Sequence, residues 1–229
     1  MKTPRGVFKR GGGGLNCRER ALLLCNEGSA WAELREAQTL TLQVPETGMA
    51  VTTDIGNPKD IHPTNKLDVG KPLAAIALSN LYDKKMICNG PSFKSMKVKG
   101  NQIFLSFNDV GTGLTCADKY GYLKGFEVAG RDHIFHYAKA FIKDNLIVVY
   151  SDKIEKPEAV HFGWAGDASD NNLFNAEGFP ALPFRTDDWK TVTQKVLLHY
   201  VQTQQSSGFQ IAANLGESKL VKGKKLNYS

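Results

Sequence analysis

The sequence predicts an α/β chain in two parts, a helix, strand, loop and helix unit followed by a run of short antiparallel strands. Three observations carry this. Apolar residues recur at helical spacing after Ser29, the short run Met49-Ala50-Val51-Thr52-Thr53 is apolar or β-branched, and from about Gly90 the period changes to that of strands.

Ser29 is a good N-cap residue, and Trp31, Leu34, Ala37, Gln38 and Thr41 fall on one face until Pro45 ends the segment. The run 49–53 reads as a buried strand of a parallel sheet. A polar loop from Asp54 to Pro63 follows, and Thr64 can cap a second helix. Its apolar positions Leu67, Ala74, Ile76, Ala77, Leu78 and Leu81 suggest one buried side. Pro72 falls inside this helix, where a proline costs about 3 kcal/mol.

Beyond Gly90, Met96–Lys99 and Gln102–Phe107 flank Gly100-Asn101 and predict a hairpin. Further strands are expected at Tyr122–Val128, His133–Tyr137, Ala140–Ile142, Leu146–Tyr150 and Ala159–Trp164, with a turn at Lys143-Asp144-Asn145. Short strands at this spacing predict an antiparallel β-sandwich-like domain. The stretch Gly166–Pro183 reads as loop, and Val192–Tyr200 as an amphipathic piece. The organisation is therefore a basic, Gly-rich segment 1–28, an α/β part 29–88, the β domain 89–190 and a polar, basic tail 191–229.

The 229 residues are 41% hydrophobic and 10% aromatic, enough for a packed core. The net charge of +6 suggests an anionic partner, but it lies at the ends: residues 1–20 carry +5, residues 217–229 carry +3, and the body carries −2. Nucleic-acid binding needs a basic patch on the folded body, so it is not expected. No run approaches the roughly 20 apolar residues of a membrane span, and no signal peptide is expected. Cys17, Cys25, Cys88 and Cys116 lack CxxC spacing and read best as reduced thiols.

The loop 54–63 holds the chemistry of interest, because catalytic groups in open α/β sheets gather at the carboxyl ends of strands. His62 lies there with Asp54 and Asp60. An imidazole steadied by a carboxylate is the base that a serine esterase needs, although this spacing also fits an ordinary surface histidine. Other clusters are weaker. Asp132, His133 and His136 lie on opposite strand faces, which disfavours a metal site. The run 167–172 lacks calcium-loop spacing. Phe162 and Trp164 could stack on a sugar and more often fill a core.

The segments Trp31-Ala32-Glu33-Leu34-Arg35-Glu36-Ala37-Gln38, Met49–Gly56 and Asp60-Ile61-His62-Pro63-Thr64-Asn65-Lys66 resemble, in order and spacing, the end of the catalytic domain of sialate O-acetylesterases. The resemblance continues through Gly90-Pro91, Leu123–Phe126, Trp164, Asn172–Asn175 and Pro183–Asp187, covering about residues 29 to 189. It implies the C-terminal remnant of a three-layer α/β/α SGNH-type hydrolase domain ahead of the β domain. It also implies removal of acetyl groups from sugars through a serine acyl-enzyme, no metal or other cofactor, an O-acetylated sugar or glycan as partner, and a secreted or periplasmic location.

By this resemblance His62 is the general base and Asp60 its acidic partner. Asp54 remains the alternative, since the usual acid position holds Lys59. The family's Gly-Gln-Ser-Asn-like nucleophile turn does not occur in the sequence. Ser29 and Ser92 read better as a helix cap and an interdomain turn, so the chain alone is expected to be inactive. An acetylated plant polysaccharide as substrate, a non-catalytic glycan-binding or interaction module, and a gene fragment without function remain as alternatives.

Overall fold

The computed structural model describes residues 29–57, 60, 62 and 64–194. The expectations for residues 1–28, for Cys17 and Cys25, and for most of the tail lie outside them. The chain divides into two compact units, residues 1–192 and 193–229, and only Thr193 and Gln194 of the second are described.

Helix α1 spans Ala30–Leu40 and continues as a 3-10 turn, Thr41–Gln43. Ser29 caps it as expected, its hydroxyl accepting from Ala32 N at 3.3 Å. The face differs from the expectation. Trp31 is 60% exposed and Leu34 is also exposed, whereas Ala32 is buried. Polar anchors decide this: Arg35 and Glu36, on the Ala32 side, bond to the β region.

Residues 49–53 form no strand. The backbone turns instead into a 3-10 segment, Thr53–Ile55. A strand exists only through hydrogen bonds to a neighbour, and no strand among the described residues pairs with this run. Helix α2 spans Leu67–Leu81 and runs through Pro72, which sits within its second turn. Thr64 does not cap it. Asn65 does so in effect, its side-chain oxygen accepting from Asp68 N at 3.1 Å. Only Ala75 and Ile76 of this helix are buried, while Leu67, Leu78 and Leu81 are exposed.

The β region holds ten strands in antiparallel sheets, so the described chain is a mixed α/β fold. One sheet is ordered β1 (Ser92–Lys99), β2 (Gln102–Asn108), β7 (Leu146–Tyr150), β6 (Lys139–Lys143). A second is ordered β10 (Phe184–Arg185), β8 (Ala159–Phe162), β4 (Phe126–Ala129), β5 (His136–Tyr137). Strands β3 (Leu114–Cys116) and β9 (Leu173–Asn175) pair with each other. The expected hairpin is β1–β2, with Lys99 opposite Gln102 and Gly100 at φ 60°, which a side chain tolerates poorly. Asp144 and Asn145, both at positive φ, make the β6–β7 turn.

Several strands are shorter than expected. The stretch from Tyr122 pairs as a strand only from Phe126, and β5 begins at His136. The stretch read as loop, 166–183, contains β9, whose partner is remote in sequence. Ser92 opens β1 and donates to Asp109 Oδ2 at 3.2 Å. Inward residues of both four-stranded sheets share one core: Ile103, Leu105, Ile147 and Val149 from the first, with Phe126, Val128, Val160, Phe162 and Phe184 from the second. Asn175 is fully buried and satisfied, donating to Asn89 O and Asp109 O and accepting from Phe179 N.

Candidate active site

The loop after the 3-10 turn curls back on itself, as a carboxylate two residues before a histidine requires. Asp60 N donates to Asn57 O at 3.1 Å, and these two residues form an isolated bridge. Asp60 Oδ1 then accepts from His62 N at 2.9 Å and lies 3.1 Å from His62 Nδ1. One carboxylate oxygen thus fixes both the backbone and the ring, and these bonds lower the Asp60 pKa. The far edge of the His62 ring is open, its side chain being 82% exposed.

Asp54 stands apart. It is half-buried, and burial raises its pKa. It lines a cavity of about 400 Å³ with Asp68, Lys71 and Phe179. Ser29 and Ser92 are engaged as described above and not with His62. Among the described residues no group of three His, Cys, Asp or Glu side chains could hold a metal ion, and Cys88 and Cys116 are free thiols. His133 stacks on the Trp189 ring at 3.7 Å instead of facing His136.

Beside the His62 loop lies an opening of about 210 Å³ between α1, residues 52–57 and residues 166–169. Arg35 reaches into it from α1. One terminal nitrogen of Arg35 donates to Gly163 O and Ala165 O, while its Nε is buried without a partner among the described residues. Thr53 Oγ1, on the facing wall, is also buried without a partner. Burial lowers the Arg35 pKa, and Asp167 acts against that. The opening is therefore polar and short of hydrogen-bond partners.

Sequence reading gave no role to the cluster that holds α1 against the β region. Arg185 Nε donates to Glu36 Oε1 at 2.8 Å, and its Nη1 donates to Trp189 O and lies 3.5 Å from Asp187 Oδ1. His161 Nε2 lies 2.7 Å from Asp187 Oδ2, with both side chains buried, and its ring stacks on Phe135. Burial pushes His161 down, and the Arg185 charge adds to that. The hydrogen bond from His161, the Trp189 amide and Arg185 together outweigh burial to lower Asp187. With Arg185 supplying the positive charge, a neutral imidazole donating to an ionised carboxylate is the state these surroundings favour. The Arg185 guanidinium also covers the Trp164 ring, and Phe162 is core. No local signal pairs Glu36 with Arg185, since they are 149 residues apart.

No protein-family model matches the chain, and no curated protein matches it. Among solved structures, the chain is similar to a crystal structure of a carbohydrate acetylesterase from Xanthomonas citri. The two are 44% identical with a TM-score of 0.68, over 72% of this chain and 38% of that one. The chain thus spans well under half the length of that protein, and the likeness supports a relationship to carbohydrate esterases in general.

Proposed function

We propose that this chain carries the histidine side of a carbohydrate O-acetylesterase site of the sialate O-acetylesterase kind, on an SGNH-type hydrolase framework. The observation that carries the reading is the Asp60–His62 pair, bonded at 3.1 Å on the loop where the family resemblance puts its base. The identity of 44% to a carbohydrate acetylesterase adds support.

In this reading a serine that this sequence does not supply attacks the acetyl carbonyl. The outer nitrogen of His62, Nε2, accepts the hydroxyl proton as the Oγ–C bond forms. The carbonyl re-forms, the bond to the sugar oxygen breaks, and His62 returns the proton to that oxygen. Water then attacks the acetyl-serine, gives its proton to the same nitrogen, and acetate leaves as the serine is reprotonated. Asp60 accepts from Nδ1–H throughout. This fixes the tautomer that leaves Nε2 free and stabilises the imidazolium.

The sequence offers no Gly-Gln-Ser-Asn-like turn, so the purified chain should not hydrolyse p-nitrophenyl acetate above background. In this reading the serine lies in the part of the Xanthomonas citri enzyme that this chain does not match, so a serine-bearing chimera with that part placed ahead of residue 29 should hydrolyse it, and His62→Ala should cost that chimera about a thousandfold or more. Retention of activity by His62→Ala would overturn the reading. The exposed edge of His62 also suits a second reading, a non-catalytic module that binds glycans. Glycan binding in the absence of hydrolysis by the chimera would favour it.

A further inference from the structure

A second opening, of about 310 Å³, lies on the β region, lined by residues including Lys124, Tyr137, Trp164, Asp167, Asp170 and Asn171. It shares Asp167 and Ala168 with the opening at Arg35 and Thr53, so both border the 165–171 loop. The first opening reaches Asn57, at the root of the His62 loop, and the second reaches Tyr137 of the edge strand β5.

The walls of these openings are held in place. Asp167 accepts from Ser169 N at 3.0 Å, and Asn171 N donates to Ala168 O at 3.2 Å. Asn172 ties the loop to the strand region, accepting from Lys124 N and donating to Tyr122 O. Arg35 holds Ala165 from the other side. Gly125 and Gly163, both at positive φ, leave room for the Asn171 amide, which a Cβ at either position would strike. That amide is buried and neither of its polar atoms has a hydrogen-bond partner among the described residues, a costly state.

The chemistry of their walls selects the ligand. Carboxylates at Glu127, Asp167 and Asp170 stand against cations at Lys124 and Arg35, so charges of both signs line the two openings. Tyr137 is 65% exposed and is the one large exposed aromatic ring on the second opening, because Arg185 covers Trp164. A lipid or drug-like ligand would need more apolar wall than this. A phosphate would meet three carboxylates. A pyranose ring needs one face to stack on and several mixed donors and acceptors around its hydroxyls, which these walls supply. The volume is at the lower end of the roughly 300–1,000 Å³ of small-molecule pockets.

We propose that the joined openings form an oligosaccharide-binding groove, with an uncharged sugar unit in the Lys124–Tyr137 opening beside the unit that lies toward the His62 loop. The substrate is then a glycan chain carrying the acetyl group, not a free acetylated monosaccharide. The direction of the groove rests on the esterase reading, but the binding does not.

The test is titration of the purified chain with xylotetraose, chitotetraose and 3′-sialyllactose, followed by amide chemical shifts. At least one should shift Gly125, Tyr137 and Asn171. Its affinity should fall roughly three- to tenfold in Tyr137→Ala and also in Asp170→Ala, an exposed loop position where folding is not at stake. Phe141→Ala, on the other sheet, should leave it unchanged. Absence of shifts at these amides with all three glycans, or unaltered affinity in both variants, would overturn the groove. Glycan binding that persists while the serine-bearing chimera hydrolyses nothing would sink the esterase reading and keep the groove. Equal kcat/KM of an active chimera on acetylated mono- and oligosaccharides would sink the groove alone.

Discussion

The β region and the helical region of this chain use apolar residues in opposite ways. In the β region every strand finds a partner, and alternation sends Ile103, Leu105, Ile147 and Val149 into a core shared with Phe126, Val160 and Phe162. In the helical region most of the large residues that the sequence sets at helical spacing face outward: Trp31 and Leu34 on α1, and Leu67, Leu78 and Leu81 on α2, with Ile76 the buried exception. The difference teaches that periodicity says which side of an element is apolar. What that side packs against decides whether it is buried.

The comparison is broken most directly by truncating one residue from each region. Phe162→Ala empties the shared core and should cost about 3–5 kcal/mol of unfolding free energy. Leu81→Ala, 75% exposed at the end of α2, should stay within about 0.5 kcal/mol. Denaturant unfolding of both variants measures this, and equal costs would mean that the α2 stripe is covered in solution.

The next effect lies in the contact between the regions. His161 titrates lower in the folded chain than when unfolded, so below its ordinary value of about 6.5 the unfolded state binds more protons and stability falls as pH falls. Asp187 is also lowered, so its contribution is present above about 3.9 and is lost as pH drops through the folded value. Both act in one direction. Melting temperature should decline from pH 7 to 4, and His161→Gln should flatten the upper part of that decline. A melting temperature that rises on acidification would contradict the neutral imidazole.

The smallest effect sharpens the helical side alone. Ser29→Ala removes the cap of α1 and should cost about 1 kcal/mol. Thr64→Ala should cost almost nothing, since Asn65 provides the bond that Thr64 was expected to make.

Local chemistry was legible in the sequence where the partner is near. Gly100-Asn101 places a turn whose strands follow at once, β7 has the expected bounds, and Ser29 announces α1. Remote pairing was not legible. Leu114–Cys116 and Leu173–Asn175 are short, separated by more than fifty residues, and carry no alternation long enough to read. The run 49–53 has strand composition, but composition does not supply a neighbour. At the candidate site, the spacing of Asp60 and His62 allowed their contact and the loop geometry gives it. Arg35 and Glu36 looked like ordinary helix charges. Their partners, Gly163, Ala165 and Arg185, become visible only when the β region folds beside α1.

The central claim is that Asp60, and not Asp54, steadies His62 for acyl transfer. The direct measurement is kcat for p-nitrophenyl acetate hydrolysis by the serine-bearing chimera with Asp60→Asn and, separately, with Asp54→Asn. The account predicts a fall of about a hundredfold or more for Asp60→Asn, from loss of the carboxylate that holds the tautomer. It predicts little change for Asp54→Asn. A large loss for Asp54→Asn with Asp60→Asn near wild type would contradict it.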